Sequence, residues 1–142
     1  MNQRTWLQAF RLRTLPLALS SILMGGFLAA SEGAFKWGIF LLSVTTTIFL
    51  QVLSNLANDY GDSIHGADHA ERKGPSRAVQ SGAISVAHMK AAIILFVILS
   101  LCSGISLLLI SFGWDWKALL FFFGLGVLSI AAAIAYTIGR KP

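Results

Sequence analysis

Four stretches of this 142-residue chain contain no Asp, Glu, Lys or Arg: residues 14–31, 37–58, 91–114 and 118–139. A helix rises about 1.5 Å per residue, so runs of this length can cross a hydrocarbon core of about 30 Å. A backbone in lipid must satisfy its own hydrogen bonds, which leaves the helix as the form these runs can take. The composition agrees, being 56% hydrophobic and only 12% charged. The expected fold class is all-α, a multi-pass transmembrane helical bundle with four spanning helices. Pro16 falls in the first turn of the first and shortest span, where no backbone donor is needed, so it starts that helix rather than breaking it. A cleavable signal peptide is the rival reading of the N-terminus, but the apolar run is long and a second span follows closely.

Basic residues orient the spans. Arg4, Arg11 and Arg13 precede the first, Arg72, Lys73, Arg77 and Lys90 lie between the second and third, and Arg140 and Lys141 follow the fourth. Only Lys36 and Lys117 fall on the other side. The positive-inside rule then puts both termini of this chain and the loop at about residues 59–90 in the cytoplasm. Trp37, Trp114 and Trp116 sit at the opposite ends of the spans, as interfacial aromatics do. The net charge of +5 is spread over three segments rather than one stripe, so no nucleic acid is expected as a partner. The lone Cys102 lies mid-span and forms no internal disulfide.

Acidic residues are few, yet four of the six, Asp59, Asp62, Asp68 and Glu71, crowd the end of the second span. Gln51, Asn55, Asn58 and Asp62 are spaced i, i+4, i+7 and i+11, which lines them along one helical face, with Asp59 beside them. Carboxylates and amides at the membrane rim need an aqueous cavity or a partner. Hard oxygen donors grouped in this way suit Mg2+, which binds through one or two carboxylates, retained waters and phosphate. Gly66 lets the helix end and brings Asp68 back toward the same ion. Arg72, Lys73 and Arg77 surround a Gly-Pro turn just beyond and can balance a bound phosphate.

Blander readings stand beside these. A mixed-charge loop is often a solvated connector, and Gln51 and Asn55 can serve helix–helix hydrogen bonding instead of a ligand. His65 and His69 lack a third zinc ligand and read as surface histidines. The run Phe121 to Phe123 reads as lipid-facing. Aspartates lining an aqueous path also describe a small cation-conducting bundle or a noncatalytic helical subunit.

The stretches "RLRTLPLA", "SNLANDYGD", "GPSRAVQSG" and "YTIGRKP" span essentially the whole chain. With "NDYGDSIHGAD" they make it resemble the UbiA superfamily of intramembrane prenyltransferases. Within it, they resemble the 1,4-dihydroxy-2-naphthoate polyprenyltransferases of menaquinone synthesis. That resemblance implies a bundle of about nine helices, of which residues 1–142 form the N-terminal part. It implies Mg2+ as cofactor, polyprenyl diphosphate and 1,4-dihydroxy-2-naphthoate as substrates, and the lipid bilayer as surroundings. Asn58, Asp62 and Asp68 match the family's first metal-binding motif. Asp62 and Asp59 are the implied catalytic acids. Lys73, Arg77 and Arg72 are the implied diphosphate ligands, and Asn55, Tyr60 and Arg13 the implied substrate contacts. In many relatives the last Asp comes sooner, where this chain has Gly66, and the wider gap favours the menaquinone-type subgroup. Other acceptors, such as 4-hydroxybenzoate, homogentisate or haem, are the alternative within the superfamily. The family's second Asp-rich motif is missing, since no acid follows Asp115. A truncated fragment, inactive alone, is therefore expected.

Overall fold

The computed structural model describes residues 3–65, 78–79 and 81–138, and among them every regular element is helical. In chain order these are α1 (Gln3–Phe10), a 3-10 turn (Leu12–Thr14), α2 (Leu15–Ser31), α3 (Trp37–His65), α4 (Val86–Phe112) and α5 (Trp116–Ile138). The four-span expectation is borne out. The helical segments within Gln3–Ser31, Trp37–Ser63, Val86–Phe112 and Trp116–Ala135 are long and apolar enough to cross a membrane.

Local chemistry sets where each helix starts and stops. Pro16 lies in the first turn of α2. That helix ends at Gly33, whose φ of 67° is open to glycine at little cost. There the Ala34 N–H donates to Ala29 O at 2.8 Å and the Gly33 N–H to Ala30 O at 3.1 Å, which satisfies two terminal carbonyls. Ser85 caps α4 by accepting from the His88 N–H at 3.3 Å. Asp115 caps α5 by accepting from the Lys117 and Ala118 N–H groups at 3.0 and 3.2 Å.

Two boundaries differ from those read off hydropathy. α3 continues to His65, past the end of its apolar run at residue 58, and α4 begins at Val86. The expected loop at 59–90 therefore has helix at both ends. With 29 residues α3 is about 43 Å long, more than a bilayer core needs, so its acidic turns project beyond the hydrocarbon or the helix tilts. The first helix, α1, has no counterpart among the apolar runs. It is short and polar on one side, and packs Ala9, Trp6 and Phe10 inward.

α3 is the axis of the bundle, in contact with α1, α2, α4 and α5. The core gathers toward its acidic end, where Val52, Leu56 and Met89 pack with Ala9, Ala78 and Ile84. Hydrocarbon tails are as apolar as leucine, so burial stabilises most where water is the competing neighbour, near the membrane rim. Deeper in the bundle, α3 and α4 are joined by a Thr46 to Ser103 hydroxyl bond of 3.0 Å. Side chains that look unprotected, such as Leu17 at 82% and Phe27 at 73% exposure, are what lipid-facing positions require.

Candidate functional site

The last turns of α3 carry Asn58, Asp59 and Asp62. Asn58 and Asp62 are one turn apart on the same face and both half-buried, so each is held by the bundle and open on one side. Their amide and carboxylate oxygens are hard donors. Gly61, between them in sequence, is buried.

Asp59 points elsewhere. It is buried, and its Oδ2 accepts from the Ala78 N–H at 3.2 Å. That bond fastens the chain to α3 as it returns from the intervening segment. Ala78 O in turn accepts from the Ile84 N–H at 2.9 Å, and Ala78 and Ile84 both enter the core. The carboxylate thus fixes the stretch that leads from residue 78 into α4.

Asn55 is also buried and committed to protein. Its Nδ2 donates to Phe10 O at 2.9 Å and to Thr14 Oγ1 at 3.1 Å. Gln51 Nε2 donates to the same Thr14 oxygen at 3.0 Å. Between substrate contact and helix–helix bonding, the two readings left open for these amides, the observed bonds are of the second kind. They clamp the turn after α1 to α3. Arg13 sits in that turn, exposed, one residue from the clamped threonine. Tyr60 is half-buried at the edge of the core, with the Lys90 ammonium 5.7 Å from its ring centroid.

Asp68, Arg72, Lys73 and Arg77, expected around the same site, lie outside the described residues, as do Gly66 and His69. Among the described residues no group of three or more His, Cys, Asp or Glu gathers in a way that could hold a metal ion. Asn58 and Asp62 alone offer a partial oxygen set. Such a set fits Mg2+, which keeps several waters and takes the rest of its shell from phosphate.

Sequence reasoning missed Thr14. A threonine just before Leu-Pro reads as a helix cap, yet its hydroxyl makes no cap bond and donates instead to Arg11 O at 2.9 Å. It missed Ala78 as well, because a backbone N–H has no sequence signature.

The chain matches relatives along nearly all its length. It is 47% identical over 141 residues to the 1,4-dihydroxy-2-naphthoate octaprenyltransferase of Haemophilus influenzae, covering 98% of this chain and 46% of that protein. It is 44% identical over 142 residues to the Escherichia coli protein of the same name, covering 98% and 45%. To the Mycobacterium tuberculosis one it is 34% identical over 137 residues, covering 96% and 44%. The chain therefore spans under half the length of the curated relatives it matches. No solved structure matches it. Residues 18–142 match the model of the UbiA prenyltransferase family, from the first turns of α2 through the acid-bearing turns of α3 to the last residue, and the chain belongs to that family.

Proposed function

We propose that the protein transfers a polyprenyl chain from polyprenyl diphosphate to 1,4-dihydroxy-2-naphthoate, with loss of CO2, to give demethylmenaquinone. The observation that carries this reading is the pairing of Asn58 and Asp62 on one half-open face at the end of a membrane-crossing helix. The relatives' shared name supplies the substrates.

Asn58 and Asp62, with Asp68 from the following segment, would hold Mg2+ where the diphosphate binds. Bound there, the metal supplies Lewis-acid withdrawal of charge from the leaving diphosphate. Lys73, Arg77 and Arg72 offset the phosphate charge that develops as the allylic carbon–oxygen bond breaks. Arg13 meets the carboxylate of the aromatic acid, and Tyr60 closes the edge of the site. Asp59 acts by fixing the return of the chain rather than by touching the ion. The apolar spans keep the polyprenyl tail in the bilayer and water away from the allylic cation. The excess of basic residues at the acid end supports a cytoplasmic position for this site and for both ends of the chain, in a bacterial inner membrane.

Asp62→Ala in the intact protein tests the reading. Transfer of radiolabelled polyprenyl diphosphate to 1,4-dihydroxy-2-naphthoate in membranes should fall by about a thousandfold or more, and magnesium should not restore it. Near-normal turnover would remove the aspartate from the metal site. Transfer to 4-hydroxybenzoate or homogentisate in place of the naphthoate would reassign the acceptor.

A further inference from the structure

The turn between α1 and α2 is the one place among the described residues where a side chain other than hydrogen occupies the left-handed region, at Arg11 with φ 49° and ψ 53°. An arginine gains nothing from that conformation, since its Cβ crowds the following carbonyl. Such a residue persists where its surroundings over-determine it. Here they do so through bonds that converge on two carbonyls. Phe10 O accepts from Asn55 Nδ2 at 2.9 Å, and Arg11 O accepts from both the Thr14 N–H and the Thr14 hydroxyl at 2.9 Å. The Arg11 N–H is taken by Gln8 O at 3.1 Å.

Thr14 is the node. Its hydroxyl donates once, to Arg11 O, and accepts twice, from Gln51 and Asn55, which uses its full hydrogen-bonding capacity. Gln51 and Asn55 are one turn apart on α3, and Asn55 is one turn before Asn58. The node therefore fixes the register of the Arg11–Arg13 turn against the acidic end of α3. From Asn55 to Asp62 the helix rises about 10 Å, within the reach of an arginine and a bound anionic substrate between them.

We propose that Thr14 is a positioning residue: through Gln51 and Asn55 it holds the arginine turn left-handed, and so sets Arg13 opposite Asn58 and Asp62 to receive the anionic end of the acceptor. The inference rests on the reading of the Asn58–Asp62 face as the prenyl-transfer site. It gives these two amides of α3, Gln51 and Asn55, an indirect task in place of substrate contact.

The test uses the full-length protein with Thr14→Val, which keeps the shape and removes the hydroxyl, Thr14→Ser, which keeps the hydroxyl, Arg13→Ala, and the Val/Ala double variant. Two readouts are taken, trypsin cleavage after Arg11 and Arg13 in detergent, and KM and kcat for the aromatic acid. Thr14→Val should be cleaved several-fold faster and show a KM about tenfold higher with kcat within about twofold, while Thr14→Ser matches the parent in both. The double variant should be no worse than Arg13→Ala alone, because the threonine acts through that arginine. Multiplicative losses in the double variant, faster cleavage with unchanged KM, or unchanged cleavage in Thr14→Val would each overturn the proposal. Absence of transfer by the parent protein sinks the functional reading instead, and the cleavage comparison then still decides whether Thr14 holds the turn.

Discussion

At the end of α3 that carries Asp59 and Asp62, neighbouring chain is held by directed bonds from side chains to backbone. At the Trp37 end, the same helix meets α2 through a glycine and a group of aromatic rings. The first end ties Phe10, Thr14 and Ala78 to α3 through Asn55, Gln51 and Asp59. The second brings Phe40 so close to α2 that a Cβ on Gly26 would lie 2.7 Å from its ring, with Phe35 5.3 Å from Phe40 and 5.1 Å from Trp37 between ring centroids. Hydrogen bonds fix orientation and register, whereas dispersion contacts fix only approach distance. A site that must hold charged groups opposite one another needs the former, and a lipid-embedded crossing needs only the latter.

The contrast breaks most visibly at Asp59. Asp59→Ala removes the acceptor of the Ala78 N–H in a buried position and should lower stability by about 3 kcal/mol, read as a drop in unfolding temperature in detergent. Asp59→Asn keeps an oxygen acceptor and should lose less than half as much. Equal losses in the two variants would mean that the charge, and not the bond to Ala78, is what the position requires.

The apolar end should respond to volume alone. Gly26→Ala forces the Phe40 ring to move and should cost about 1 to 2 kcal/mol. Gly25→Ala, one residue earlier with open space around it, should be neutral or gain up to about 1 kcal/mol from helix propensity. If the two behave alike in thermal unfolding, the α2–α3 crossing does not depend on that close approach.

The same division explains what could be read in advance. Four spans were legible because charge is excluded from hydrocarbon over a fixed length, a property of local sequence. The face holding Gln51, Asn55, Asn58 and Asp62 was legible because helical periodicity is local too. The assignment of those residues divided along the physical line. Asn58 and Asp62 are half-buried on that face, and Asn55, Gln51 and Asp59 meet partners 45, 37 and 19 positions away in the chain. Pairings at that separation depend on how helices dock, and no periodicity encodes them. α1 escaped notice for a related reason, being too short and too polar to register as a span, and helical chiefly because Trp6, Ala9 and Phe10 find a surface on the core.

The smallest expected effect lies at Arg11. Its φ of 49° costs an ordinary residue energy that glycine does not spend, so Arg11→Gly should raise stability by about 0.5 to 1 kcal/mol despite the extra freedom glycine has when unfolded. Arg11→Ala removes the same charge and keeps the Cβ, and should show no gain. Arg11→Asn tolerates the left-handed region and should fall between them. Thermal unfolding of the three variants side by side separates backbone from charge. A gain shared by Gly and Ala would trace to relief of positive charge among Arg4, Arg11 and Arg13, and the directed bonds from Thr14 and Asn55 would then be holding a turn that carries no conformational strain.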